Sequence, residues 1–343
     1  MNAPREIRRT VIDHPAAWTS RSLGGKDSLI YRLTEQHLAA IDAVLAQTAR
    51  LKPQQVTREE FDHPALNPML DEVQSIVLKG RGAVVIQGMT RARYSDDAFE
   101  RICWGFGTHW GRAAVQSSSG DRLGHVANDP NNPHRRGYRD NTELFMHTDG
   151  YEILGLLCVQ QGASGGVSGL VSTLAIHNEI VATRPELLDP LYRGFPHALI
   201  EARNTANPIT PYNVPVYSSV NGDVSCLYTR LFLREAVQVL GTPMPDDLAD
   251  AIAYFEQLAT RDDIRLTFML EPGEMMVVNN WTTMHARTDF TDSATHTRHL
   301  LRLWLHVPEE RRRAVIPEMY TWGNVYDRLL KEAMKNREVV TVD

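Results

Sequence analysis

Short apolar runs rich in β-branched residues are the feature that most constrains the fold of this chain. Runs of this length, bounded by glycine, proline and polar residues, are typical of buried strands. Helical patterns separate them in blocks and do not alternate strictly with them, which favours an antiparallel sandwich or barrel over a parallel sheet. We therefore predict a mainly β fold with flanking helices. The runs are AVVIQGM, GLLCVQQ, RLTFML, MMVVNN and RHLLRLWLHV.

Five stretches with apolar residues at helical spacing predict helices that pack on these strands. Ser95 precedes one of them and is suited to cap it, because a serine hydroxyl can accept a bond from an unpaired backbone N–H. The stretches cover about residues 34–51, 66–77, 95–110, 176–185 and 245–260.

The segment from Val214 to Arg230 alternates in the manner of strands around Asn221 and Gly222. An Asn-Gly pair between two such runs is a strong hairpin signal, because both residues adopt positive φ readily. We predict a hairpin here. Tyr228 and Arg230 are two residues apart, so on its second strand they would share one face.

No repeat and no linker divides the chain, and we predict a single structural domain. Residues 1–79 would form an N-terminal helical extension that begins with a polar strap or arm. Residues 80–310 would form the β core, with a lid or insert around residues 197–262, and residues 311–343 a helical tail.

The composition is that of an ordinary globular protein, with 343 residues, 43% hydrophobic, 23% charged and a net charge of -6. Lysine and arginine are scattered, which argues against a nucleic-acid surface and favours a small-molecule partner. Cys103, Cys158 and Cys226 are far apart, and no apolar run approaches the roughly 20 residues of a membrane span. We expect a soluble, cytoplasmic protein with no membrane partner. The chain has no glycine-rich phosphate loop, which disfavours a nucleotide-binding class.

The stretch NTELFMHTDGY contains a pair of candidate metal ligands, His147 and Asp149. If this stretch is extended, two residues that are two apart leave the backbone on one face. With a second imidazole they would form the facial triad of two histidines and a carboxylate that leaves three iron positions open. By itself the pair is a weak signal, because His-x-Asp is common by chance.

A partner imidazole is available at His285, which ends the segment after the EPGE turn. Arg298 follows thirteen residues later and Arg302 four beyond that, and in a strand both share a face with Leu300 and Trp304. Two inward guanidinium groups are costly to bury unless an anion meets them. The pattern therefore indicates an anionic ligand near His285.

The ordered motifs of residues 80–307 resemble those of the taurine/aryloxyalkanoate dioxygenase superfamily, also called clavaminate-synthase-like. This resemblance implies a double-stranded β-helix, or jelly-roll, core and an enzyme that uses Fe(II), 2-oxoglutarate and O2. The motifs that carry it are GRGAVVIQGM, HTDG, GLLCVQQGASGGVS, VNGDVSCLYTR, EPGEMMVVNNWTTMHARTDF and RHLLRLWL.

The resemblance also implies roles for individual residues. His147, Asp149 and His285 look like the iron ligands, and Arg298 resembles the clamp for the distal carboxylate of 2-oxoglutarate. Arg302 resembles a second arginine that meets an anionic group of the prime substrate, although a structural ion pair is an alternative. Because Asp149 is retained, halogenation is disfavoured, since related halogenases carry a small residue there.

Other site residues are less constrained. Ser168 stands where many relatives carry a threonine beside 2-oxoglutarate, but Ser172 or Thr173 could take that role, and all three could instead cap a helix. The hairpin residues Tyr228 and Arg230 would contact substrate at the pocket mouth, or face solvent. Trp281 and Trp304 are expected in the core.

The reaction implied is hydroxylation of an unactivated C–H bond of a small anionic or zwitterionic molecule, with release of succinate and CO2. Desaturation or cyclisation would begin in the same way. Two other classes stay open, a zinc-type hydrolase using the same ligands and a non-catalytic binder on this fold. Apolar positions in the N-terminal helices leave room for a homo-oligomer.

Overall fold

The computed structural model describes residues 6–116, 120–129, 139–198, 208–220 and 222–307. These residues form fifteen strands, numbered here in chain order. They are β1 Ile30–Arg32, β2 Ala83–Gln87, β3 Arg112–Ala113, β4 Leu123–Ala127, β5 Leu144–His147, β6 Ile153–Gln160, β7 Ser164–Gly165, β8 Ser168–Ser172, β9 Tyr217–Val220, β10 Asp223–Cys226, β11 Leu266–Phe268, β12 Met275–Asn279, β13 Thr283–Arg287, β14 Phe290–Thr291 and β15 His299–His306.

The strands form the jelly roll that the motifs predict, with a major and a minor sheet. The major sheet has the order β1-β2-β12-β6-β15-β3, and β4 also pairs with β15. The minor sheet has the order β11-β8-β13-β5. Within both sheets the pairings are antiparallel, except that β1 runs parallel to β2. The runs before and after the EPGE turn, β11 and β12, are both strands, and each joins a different sheet.

Eight α-helices lie in the described part of the chain, and five correspond to the predicted stretches. Ser95 accepts a bond from the Ala98 N–H and caps its helix as predicted. The helices are α1 Ser20–Leu23, α2 Glu35–Gln47, α3 Asn67–Leu78, α4 Asp96–Trp110, α5 Thr173–Thr183, α6 Leu188–Arg193, α7 Arg230–Leu240 and α8 Asp246–Thr260.

Alternation along β15 shows how the layers are built. Leu301 and Leu303 pack against the helices α2, α3 and α4 on the outer face of the major sheet. Leu300 and Trp304 face the opposite way, into a core that also contains minor-sheet residues such as Leu170. Because side chains alternate along a strand, one run fills the outer core and also lines the space between the sheets. A third cluster packs α5, α6 and α8 on the minor sheet.

The predicted hairpin is present, but its second strand is shorter than the sequence pattern indicates. β9 and β10 pair around Gly222, which has a φ of 90°. β10 ends at Cys226, and Arg230 begins α7, so the prediction that Tyr228 and Arg230 lie on a strand was wrong. Leu233 and Ala236 are buried at helical spacing, which explains why a helix forms there.

The N-terminal segment lies as a strap across the core. The Ile12 N–H donates to Asn178 at 2.7 Å, and the Trp18 indole donates to the Arg81 carbonyl at 2.8 Å. β1 then adds a strand to the major sheet, so this region is not only helical. The domain boundaries remain a prediction. The tail at 311–343, and residues 199–207 and 221 of the predicted insert, lie outside the described residues. None of the helices described is long and apolar enough to cross a bilayer.

Candidate active site

Pairing between β13 and β5 brings the two predicted imidazoles together. His285 lies directly opposite His147, and their ring centroids are 4.2 Å apart. The next pair along is Arg287 with Leu144, so the register shifts between the two pairs. Such a bulge places an extra residue on one strand and turns its side chains. Leu144 and His147 therefore line the same cavity, although they are three residues apart.

Asp149 completes the triad from the loop that follows β5. The ligand atoms of His147, Asp149 and His285 all lie within 4.8 Å of one another. β5 ends at His147, so an extended strand does not by itself aim both ligands, contrary to the sequence argument. Hydrogen bonds made by the backbone of this loop hold Asp149 beside the two histidines. The Asp149 N–H donates to Asn280 Oδ1 at 3.3 Å, and the Thr148 N–H donates to a backbone carbonyl at 2.8 Å.

The protonation of the two imidazoles suits metal binding. His147 Nδ1 lies 2.8 Å from the Phe145 carbonyl oxygen, which can only accept, so Nδ1 carries a proton and Nε2 is the nitrogen left to face a metal. Burial, with the neighbouring His147 and Arg302 charges, lowers the pKa of His285 to about 3, although Asp149 opposes this. The ring of His285 is therefore neutral near pH 7 and can donate a lone pair.

The carboxylate is the anionic member of the triad. Burial raises the pKa of Asp149, but the two imidazoles, the Arg302 charge and a bond from Trp304 outweigh it, so this pKa lies below its ordinary value. Two imidazoles and one carboxylate grouped together, with no thiolate, form the donor set of a non-haem Fe(II) centre. Fold and donor set together define a non-haem iron oxygenase.

The predicted 2-oxoglutarate residues, Arg298 and Ser168, line the same cavity as His147 and His285. Arg298 is 4% exposed, and burial, aided by the Arg287 charge, lowers its pKa to about 10, so it remains a cation near pH 7. Its Nε has no hydrogen-bond partner among the described residues. A Cβ on Gly166 would come within 3.1 Å of this Nε, so glycine lets the backbone approach the Arg298 guanidinium.

Of the three candidate hydroxyl groups, the structure places that of Ser168 beside this cavity. Ser172 instead caps α5, accepting from Ala175, and donates to the Ala16 carbonyl. Thr173 begins α5 and does not line the cavity. The assignment of Ser168 to 2-oxoglutarate remains a prediction that this placement favours.

Arg302 is held by a neutral side chain. Its Nε donates to Gln116 Oε1 at 2.7 Å, and Gln116 Nε2 donates back to the Arg302 carbonyl at 2.8 Å. The guanidinium carbon lies 4.3 Å from the centre of the Trp304 ring. Gln116 and Trp304 thus fix the orientation of Arg302 at the cavity wall.

Tyr228 and Arg230 are not brought to this cavity. Both side chains bond to Glu256 of α8, Arg230 through Nε at 2.5 Å. Arg230 also lies over the Phe145 ring at 5.1 Å. These residues line a second cavity on the other side of the minor sheet, beneath α8. Ala286 and Arg287 line both cavities, and the contact of Tyr228 and Arg230 with substrate stays a prediction.

Four residues around the site were not predicted from the sequence to contribute to it. They are Gln116, Asn280, Arg287 and Trp304. Trp304 shares the strand face of the two arginines, and Arg287 lies two residues beyond His285, so period-two spacing was an available signal for both. Gln116 and Asn280 are buried amides whose partners are distant in sequence, and no local pattern marks them.

Comparison with known proteins identifies the family. The taurine catabolism dioxygenase TauD, TfdA family matches residues 47–304, so the chain belongs to it and is a non-haem iron, 2-oxoglutarate-dependent dioxygenase. The chain is 27% identical over 336 residues to FR-33289 synthase of Streptomyces rubellomurinus, covering 93% of this chain and 97% of that protein. It is 28% identical over 309 residues to the taurine hydroxylase-like protein SAT17 of Stachybotrys chartarum, covering 84% and 77%.

Solved structures share the fold at lower identity. An asparagine oxygenase in complex with Fe(II), 2S,3S-3-hydroxyasparagine and succinate has a TM-score of 0.62 and 18% identity, covering 85% of this chain and 98% of that chain. The non-heme iron oxygenase OrfP, in complex with Fe and alpha-ketoglutaric acid, has a TM-score of 0.58 and 16% identity, covering 81% and 94%. Both agree with the jelly-roll architecture described above.

Proposed function

We propose that this protein couples the oxidative decarboxylation of 2-oxoglutarate to hydroxylation of an unactivated C–H bond of a small anionic or zwitterionic molecule, releasing succinate and CO2. One observation carries the proposal. His147 and His285 line the same cavity as Arg298 and Arg302, and the Asp149 carboxylate lies beside the two imidazoles. A zinc-type hydrolase could use the three ligands, but it would not require two arginines at this cavity.

Each residue of the cavity has a role in this proposal. The triad would hold Fe(II), which, when bound, supplies the chemistry that activates O2 for C–H oxidation. Arg298 would hold the distal carboxylate of 2-oxoglutarate, and the Ser168 hydroxyl would donate a second bond to it. Apolar side chains such as Leu156 line the remaining wall and exclude water. The protein thereby decides which hydrogen of the substrate lies nearest the metal.

Arg302 is our candidate for the substrate anion. The Gln116 amide and the Trp304 ring hold its guanidinium in place before a ligand arrives, so little side-chain entropy would be lost on binding. The names of similar proteins point to small molecules of this kind, since one acts on asparagine and OrfP is in complex with L-Arg. We assign no substrate contact to Tyr228 or Arg230.

The test is metal-dependent turnover. Anaerobic addition of Fe(II) and then 2-oxoglutarate should produce a visible charge-transfer band, and air should then yield succinate. We expect His147→Ala and His285→Ala to abolish both signals, because each removes one of the three ligands. His37→Ala, in the distant helix α2, is the control and should leave both unchanged. Normal succinate formation in either triad variant would refute the assignment. Screening amino acids and other small anions for stimulated succinate release would then identify the substrate, and product analysis would distinguish hydroxylation from desaturation or cyclisation.

A further inference from the structure

We propose that Trp304 is a positioning residue, which aims the Asp149 carboxylate at the metal through its indole N–H and holds Arg302 with its ring face. The inference rests on the proposed iron site and concerns a residue outside the triad. Its action would be indirect, because Trp304 bonds to Asp149, a proposed metal ligand, and would not bind the metal itself.

The contacts of Trp304 with the site are specific. Its Nε1 donates to Asp149 Oδ2 at 2.7 Å, and the same oxygen lies 3.5 Å from His285 Nε2. A carboxylate on a rotatable bond can turn either edge toward its neighbours. A hydrogen bond of this length removes that freedom, so the carboxylate is presented to the two imidazoles in one orientation.

The indole is itself held in place from two sides. Tyr151 stacks on it, with ring centroids 5.8 Å apart and an angle of 28°, and Arg302 lies over the ring at 4.3 Å. Trp304 is 6% exposed. One rigid side chain thus connects the metal-ligating carboxylate at its edge with the cavity arginine at its face.

A second tryptophan shows that packing alone does not require such a bond. Trp281 belongs to the same core between the sheets and is 3% exposed, yet its indole nitrogen has no hydrogen-bond partner among the described residues. A buried tryptophan with an unsatisfied N–H is therefore tolerated in this core. The bond of Trp304 to Asp149 is an additional feature, and Trp281 provides a matched control.

The test distinguishes the role of the Trp304 indole N–H from that of its aromatic ring. Trp304→Phe keeps an aromatic face for Arg302 but removes the donor. We expect its affinity for Co(II), measured without oxygen by competition with a chelator, to fall about tenfold, as is typical when a partner of a metal ligand is lost. The visible Co(II) absorption should change as well, because the carboxylate is no longer oriented. Far-UV circular dichroism should match the parent protein.

Trp281→Phe should bind Co(II) within about twofold of the parent affinity, with the parent spectrum. The inference is overturned if Trp304→Phe keeps parent affinity and spectrum, or if Trp281→Phe weakens binding equally, since general loosening of the core would then suffice. His285→Ala distinguishes failure of the proposed metal site. If His285→Ala binds Co(II) as the parent does, the proposed metal site is wrong. If His285→Ala loses Co(II) binding while Trp304→Phe keeps it, only the role of Trp304 is refuted.

Discussion

At the scale of single residues, the distinctive feature of the cavity is that the arginines in its wall, Arg298 and Arg302, are buried. Arg298 is buried, its Nε has no partner among the described residues, and its pKa is lowered mainly by desolvation. Burying a guanidinium in this way costs free energy that an anionic ligand can recover. This is why we propose that Arg298 meets the distal carboxylate of 2-oxoglutarate, and its effect should be separable from metal binding.

We expect Arg298→Gln to raise the KM for 2-oxoglutarate by roughly tenfold to a hundredfold, because a charge-assisted bond contributes about 1.5 to 3 kcal/mol. Metal affinity in the absence of 2-oxoglutarate should change little. Steady-state succinate formation and Co(II) titration measure the two effects. Arg265→Gln, which alters an arginine at the second cavity, should change neither. An unchanged KM in Arg298→Gln would place the clamp elsewhere.

At the scale of elements, the layer outside the minor sheet contains a buried histidine remote from the cavity. His177 of α5 lies edge-on to Tyr217 of β9, and its Nε2 is 3.2 Å from the Tyr192 hydroxyl of α6. Burial lowers the pKa of His177 to about 4; a hydrogen bond with the Arg8 backbone raises it by less, and the Arg8 charge lowers it slightly further. The helices α5 and α6 therefore pack around a neutral imidazole.

This packing should make stability depend on pH. The unfolded chain takes up a proton at His177 near pH 6.5, whereas the folded chain does so only near pH 4, so acid favours unfolding across that interval. We expect this residue alone to reduce the free energy of unfolding by about 2 kcal/mol between pH 7 and pH 4.5. Urea unfolding of the parent and of His177→Gln should reveal the difference as a shallower pH dependence in the variant. Parallel profiles would contradict it.

At the scale of the whole molecule, the site joins the two sheets. His147 and His285 lie on β5 and β13 of the minor sheet, whereas Arg298 directly precedes β15, and Arg302 lies on β15, of the major sheet. A ligand that contacts both sets would tie the sheets together, so metal and 2-oxoglutarate should stabilise the fold jointly.

Ligand binding to the folded state alone raises stability by about 2.7 kcal/mol at a hundredfold excess over Kd. We expect anaerobic Fe(II) to raise the Tm by roughly 5 °C, and 2-oxoglutarate to add a further increase only when the metal is present. Differential scanning fluorimetry measures both shifts. His285→Ala should lose both, whereas Arg298→Gln should keep the metal shift and lose the increment. An equal 2-oxoglutarate shift without metal would argue against a shared site.

Much of the secondary structure was accessible from local patterns, and the candidate metal ligands from the resemblance of the motifs to a known family. The strands in AVVIQGM and MMVVNN, the Asn-Gly hairpin and the capped helix after Ser95 depend on residues a few positions apart, and the structure confirms them. The spacing of His147 and Asp149 marked them as candidate metal ligands, and the family resemblance added His285 to the set. The end of β10 was missed, because alternation and helical spacing overlap in a short apolar stretch.

The sequence by itself thus predicted the longer helices and several core strands, and the family that its motifs resemble indicated which three side chains are suited to a metal. Only the tertiary structure decided which of the other polar groups face them. It set Gln116 against Arg302 and Trp304 against Asp149, and it turned Tyr228 and Arg230 toward Glu256. The physical reason is that these contacts join segments far apart in the chain. Strand register and a bulge in β5 decide which side of a sheet each side chain occupies.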